Sequence, residues 1–131
     1  MKASLDHVHV YVKDRFQSAK WFEELLGFKV LNDFKSWAEN EGPLSISSDD
    51  GMTKIALFTA FDKPANTKYA LALKLNKTDF ESFIKRANSM EVKNYKDKTI
   101  SKDDIIDHQL ALSVYFKDPD GNYYEVTCYE V

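Results

Sequence analysis

The sequence predicts an α+β fold of two βαβββ modules whose mixed sheets curl around a cleft. Two observations predict it. A strand with period-2 alternation followed at once by a capped amphipathic helix occurs twice, and the second copy lies about 63 residues after the first. In addition, each copy ends on strands joined by a strong turn signal.

The first module spans about residues 1–60. Along "LDHVHVYV", Val8, Val10 and Val12 alternate with His7, His9 and Tyr11, so one face is apolar and the other polar. Asp14 is placed to cap a helix, with Gln17 as its box partner. Phe16, Ala19, Phe22, Leu25 and Leu26 give that helix a buried stripe, and Gly27 ends it. A strand over 28–31 follows. Two more are expected at 44–48 and 53–60, joined by a segment whose Asp50-Gly51 is a hairpin signal.

A linker, "FDKPANTK" (61–68), precedes the second module at about 69–131, and the whole chain 1–131 is expected to be one domain of this type. In "YALALKL" (69–75), Leu71, Leu73 and Leu75 alternate with Ala70, Ala72 and Lys74. Thr78 and Glu81 read as a capping box ahead of a stripe of Phe80, Phe83, Ile84, Ala87 and Met90. After the polar segment 91–110, strands are expected at 111–117 and 122–129. Asp118-Pro119-Asp120-Gly121 turns the chain between them, with Pro fixing φ at the second position and Gly tolerating positive φ at the fourth.

Each sheet has one helix to cover its apolar face and none for the other. Two such sheets, in one chain or across a dimer, can line a cleft with their uncovered faces. Parity places His7, His9, Tyr11, Ala70, Ala72, Lys74, Tyr115, Tyr123, Glu125 and Thr127 on that side.

Bulk composition narrows the function. With 44% hydrophobic and 30% charged residues the chain is globular rather than disordered. Eighteen basic against 21 acidic residues leave a formal charge of −3, without the footprint expected for nucleic acid or an anionic membrane. The single cysteine, Cys128, falls on the core face of its strand. There is no basic and apolar leader before the first strand and no apolar run near ~18 residues, so a cytoplasmic protein is expected. No nucleophilic triad and no glycine-rich phosphate loop are visible.

"LDHVHVYVKD…AKWFEELLGFKV" near the start and "VYFKDPDGNYYEV" near the end, set around a repeat, resemble the vicinal oxygen chelate superfamily of glyoxalase I, bleomycin and fosfomycin resistance proteins, and extradiol dioxygenases. The resemblance implies paired βαβββ modules and a homodimer. It also implies metal ligands at His7 and Glu125, whose imidazole and carboxylate suit Fe, Mn, Ni or Zn. At two further positions where the family has ligands, this chain has Ala70 and Ala56, and neither can bind a metal. His9, two positions from His7 on the same face and about 6.6 Å along the strand, is a candidate third donor. His108 is another, if the segment 91–110 folds over the cleft. Without a third donor, His7 and Glu125 would remain as a hydrogen-bonded or ionic pair.

The expectation is therefore a small-molecule-binding protein of the glyoxalase/bleomycin resistance type, holding an organic ligand between modules. No cofactor is favoured, and a divalent metal is the alternative, in a lyase, isomerase, dioxygenase or thiol transferase using His7 and Glu125. Candidate ligand contacts are His9, Tyr11, Trp37, Lys74, Tyr115 and Tyr123. Lys74 reads first as a strand-end lysine in solvent and second as an anchor for an anionic ligand, the tyrosines also as ordinary cross-strand stabilisers, and Trp37 also as packing beneath its own loop. The segment 91–110 reads as a solvated connector or as a mobile lid.

Overall fold

The structure is a computed structural model that describes residues 1–60 and 62–130. Phe61, at the start of the expected linker, and Val131, at the end of the expected second module, lie outside the described residues. The chain divides into two compact units, Met1–Lys63 and Pro64–Val131.

In the first unit, β1 (His7–Val12), α1 (Arg15–Leu26), β2 (Lys29–Val30), β3 (Leu44–Ser47) and β4 (Lys54–Thr59) form a βαβββ module. Its sheet runs β1-β4-β3-β2, parallel between β1 and β4 and antiparallel elsewhere. A parallel pair cannot be closed by a hairpin, and the intervening helix and strands make the crossover. Asp14 caps α1, its carboxylate accepting from the N–H groups of Phe16 (2.9 Å) and Gln17 (3.1 Å). Ser18, Ala19, Phe22 and Leu25 form the buried stripe, packed on β2, β3 and β4. The expected stripe needs correction at its start: Phe16, in the first turn, is 62% exposed. Asp50 and Gly51, both at positive φ (57° and 98°), turn the chain between β3 and β4 as their dipeptide suggests. Residues 32–41, which carry weak patterning in the sequence, form a 3-10 stretch kinked at Glu39 and Asn40.

The second unit repeats the plan with β5 (Leu71–Lys74), α2 (Lys77–Ser89), β6 (Ile106–Asp107), β7 (Leu112–Lys117) and β8 (Tyr123–Cys128), in the order β5-β8-β7-β6. Here α2 starts earlier than the expected Thr78–Glu81 box. Asn76, one of the strongest capping residues, accepts from the Asp79 N–H at 2.8 Å. Phe80, Phe83, Ile84 and Ala87 are buried, and Phe83 meets Phe116 of β7 with ring centroids 4.9 Å apart.

The segment 91–110 is fastened rather than loose. Val92 and Ile100 are buried and joined by a backbone bond of 2.8 Å. The Asn94 side chain accepts from the N–H groups of Lys96 and Lys98 and donates to Asp104. Ser101 and Asp104 form a reciprocal capping box. This segment also supplies β6, a two-residue strand the sequence pattern did not reveal. Among the described residues no helix is long and apolar enough to cross a membrane.

The Asp118–Gly121 turn is organised by one buried carboxylate. Asp118 accepts from the N–H groups of Asp120 and Asn122, from the Asn122 side-chain amide and from the Tyr124 hydroxyl, all within 3.0 Å. Asn122 in turn accepts from the Asn66 N–H, and the Tyr123 N–H donates to the Asn66 carbonyl, which ties the chain before β5 to the start of β8. Burial lifts the Asp118 carboxyl above the ordinary aspartate range against the pull of Asn122 and Tyr124. A raised folded-state pKa favours the protonated form, so this contribution is present below the ordinary value and is lost as pH rises through the folded one. Asp118→Ala leaves several buried donors without an acceptor and is expected to cost about 2–4 kcal/mol. Urea unfolding of the variant against the parent checks this, and an unchanged midpoint would contradict it.

Candidate ligand-binding site

Each unit presents one sheet face that its helix does not cover, and the sequence-predicted site residues lie on these faces, except Trp37, which belongs to the 3-10 stretch 32–41. In the first unit, alternation along β1 leaves His7 and His9 exposed and Tyr11 half-buried while Val10 and Val12 enter the core. The register sets His9 level with Ala56 of β4, and Ala56 level with Ser45 of β3. His7, His9, Ser45 and Ala56, with Phe34 and Trp37, line a cavity of about 110 Å³. Trp37, 56% exposed, leans on Phe34 with centroids 4.8 Å apart. Its segment is pinned by Arg15 of α1, which donates to the carbonyls of Ala38 and Gly42.

The two imidazoles are joined to each other. His7 Nε2 and His9 Nε2 lie 3.1 Å apart, one donating and the other accepting, and His7 Nδ1 is 2.7 Å from Asp6. Hydrogen bonding to His7, and then to Lys54, holds the Asp6 carboxyl below the usual aspartate range. Tyr11 lies under the Lys63 ammonium, 4.5 Å from the ring centroid.

Two nitrogens at about 2.0–2.1 Å from one ion and near right angles would stand about 3 Å apart, so the imidazole pair has the spacing of two ligands. Asp6 would be the carboxylate that orients one of them. The rest of the cavity does not complete a metal site. Lys54, 3.1 Å from Asp6, brings a positive charge, and Ala56 offers a methyl group. Among the described residues no group of three or more His, Cys, Asp or Glu side chains could hold an ion.

In the second unit, Glu125 of β8 sits between Ala72 of β5 and Tyr115 of β7 in the register. The Ser113 hydroxyl donates to its carboxylate at 2.7 Å. Tyr115 approaches it from the facing strand. Burial first, then the charge of Glu125 and hydrogen bonding to it, push the Tyr115 hydroxyl above the ordinary tyrosine range. Tyr123 stacks on Tyr95 with centroids 3.7 Å apart and planes 8° from parallel, and Tyr115 meets Tyr95 edge-on at 5.7 Å. The Tyr95 hydroxyl donates to the Tyr124 carbonyl, and burial, then Glu125, push its pKa up. His108 lies 3.3 Å from the Tyr115 hydroxyl. Tyr95 and Tyr115 line a cavity of about 610 Å³ together with Asn94, Asp104 and Ile106. Lys74 is exposed at the end of β5, level with Thr127.

Sequence reasoning missed Tyr95, Ser113, Ser45 and Phe34. Ser113 has the same parity as Tyr115 and could have been found. Tyr95 belongs to an aperiodic segment, and nothing in its neighbours signals a stack on Tyr123.

The model of the Glyoxalase/Bleomycin resistance protein/Dioxygenase superfamily matches residues 4–126. The chain belongs to this superfamily. Solved structures agree on the fold. A protein of the glyoxalase family from Bacillus anthracis superposes with a TM-score of 0.73 at 13% identity, over 99% of this chain and 98% of that one. The oxidase ChaP-H2 gives 0.71 at 20% identity, covering 98% and 94%. A mutant of the fosfomycin resistance protein FosX from Listeria monocytogenes, complexed with Mn(II) and 1S,2S-dihydroxypropylphosphonic acid, gives 0.69 at 13% identity over 96% and 90%. No curated protein matches the chain by sequence.

The charge of Glu125 helps to raise both Tyr95 and Tyr115, and a raised tyrosine stabilises the fold below its unfolded pKa and loses that contribution as pH climbs through the folded value. Glu125→Gln is therefore expected to move part of the tyrosinate absorbance titration to lower pH. An unchanged curve would contradict the placement of Glu125 beside these rings.

Proposed function

We propose that this protein binds a small organic molecule in the manner of the glyoxalase/bleomycin resistance branch, sequestering it without chemistry, in the cytoplasm and as a homodimer. The observation that carries this reading is Ala56. It is buried at the level of His9, in a cavity walled by Phe34 and Trp37, and it presents a methyl group where the resemblance implies a carboxylate. Phe34 and Trp37 offer ring faces to an organic ligand, beside the polar groups of Asp6, His7, His9, Ser45 and Lys54 that would orient it, and ring stacking contributes about 0.5–1.5 kcal/mol per pair beyond area burial. His9, Tyr11, Trp37, Lys74, Tyr115 and Tyr123 are the contacts proposed for it.

Native mass spectrometry of gently purified protein is expected to detect a co-purified organic mass. Elemental analysis is expected to find no stoichiometric divalent metal, and EDTA to leave the unfolding temperature unchanged. One tightly held divalent ion per subunit would overturn the reading. Trp37→Ala should weaken binding of the co-purified molecule severalfold while leaving stability near the parent value, because the ring is exposed.

A second reading is favoured by the 3.1 Å approach of the two imidazoles and by the orienting Asp6. It is a divalent-metal-dependent enzyme of the same superfamily in which His7 and Glu125 are ligands and His9 adds a nitrogen. His7→Ala and Glu125→Gln would then each abolish uptake of added Mn(II) or Zn(II), and metal content surviving both changes would end this alternative.

A further inference from the structure

We propose that Glu125 is the counter-charge of an organic-cation subsite walled by Tyr95, Tyr115 and Tyr123. The inference rests on the small-molecule-binding reading and names the ligand class at one of its faces.

The carboxylate is met by hydroxyl groups. The Ser113 hydroxyl donates to it at 2.7 Å, and Tyr115 brings a second hydroxyl toward it. Hydroxyl donors bond to a carboxylate without cancelling its charge. Among the described residues, no lysine, arginine or histidine nitrogen lies within salt-bridge distance of Glu125. Two lysines share its sheet face and neither serves as its partner. Lys117, level with Tyr123, is ion-paired with Asp97, and Lys74, level with Thr127, is exposed at the strand end. Two further lysines, Lys96 and Lys98, line the cavity beside Tyr95, as do Asp103 and Asp104, so that rim carries balanced charge.

The surroundings select the kind of cation. Tyr95 and Tyr123 form a parallel stack and Tyr115 closes on it edge-first, so three ring systems concentrate beside one carboxylate. Aromatic faces attract weakly hydrated organic cations, while a small inorganic ion keeps its water and gains less from rings. The Tyr95 hydroxyl is held by the Tyr124 carbonyl, which fixes its ring and leaves the ring rather than the hydroxyl for recognition. A cavity of about 610 Å³ lined by two of these rings, Tyr95 and Tyr115, has room for a planar ammonium-bearing molecule.

The test uses calorimetric titration of the full chain with N-methylquinolinium and with its uncharged counterpart quinoline at pH 8, EDTA being present throughout to remove any metal. N-methylquinolinium is expected to bind at least about tenfold more tightly than quinoline. Glu125→Gln, which keeps the side-chain shape, should erase that advantage, whereas Lys85→Ala, at an exposed position of α2, should not. On the parent protein, added salt should weaken the cation and leave quinoline unaffected, a readout that needs no variant to fold. Equal affinities for the two probes, an advantage that survives Glu125→Gln, or no binding of the cation would each overturn the proposal. Equal affinities would leave the small-molecule-binding reading standing, since that reading fails instead on a stoichiometric bound metal.

Discussion

The structure depends on one constraint: a four-stranded sheet with a single helix can bury only one of its faces under that helix. Strand alternation then sorts every second residue into core or uncovered face, and a one-residue slip would exchange the two sets. Tyr124, Val126 and Cys128 are consequently core residues, and Tyr123, Glu125 and Thr127 are not. In the first unit the same sorting sends Val10 and Val12 inward and leaves His7 and His9 on the other side. Burying any of these polar groups without partners would cost more than a typical hydrogen bond returns, so the sorting is enforced energetically and not merely by geometry.

What the uncovered faces hold is already largely satisfied from within. His7 leans on Asp6 and His9, Asp6 is also bound by Lys54, and Glu125 accepts from Ser113. Such local pairing pre-orients the groups and restrains their movement. The first unit meets a metal-ligand spacing in part. The imidazole pair has a suitable spacing, yet the next position in the register is the methyl of Ala56 and the next charge is the ammonium of Lys54. Superfamily membership fixes the scaffold, and the function lies in the side chains that its uncovered faces carry.

Much of this was legible in the sequence because it rests on local periodicity. The strand–helix–strand order, the repeat, the Asp50-Gly51 turn and the faces of β1 and β8 all follow from spacing and turn chemistry. The errors share a cause as well. Phe16 and the Thr78–Glu81 box fall at helix starts, where one turn of uncertainty changes which residue caps and which is buried. Strand β6 is two residues long and too short to show a period. The segment 91–110 reads as polar because its order comes from side chains bonding to backbone, centred on Asn94, and not from an apolar stripe. Tyr95 is hidden for the same reason, since its stack on Tyr123 joins residues far apart in sequence.

Hydroxyl-radical footprinting read by peptide mass spectrometry tests the face assignment most directly, because adjacent residues of one strand must respond oppositely. Tyr123 on the uncovered face is expected to be oxidised in the free protein and Tyr124 to be protected, with the same contrast between His9 and its buried neighbour Val10. Oxidation of Tyr124 equal to or above that of Tyr123 would mean that the sheet presents its other face, and the account of the site would fail with it.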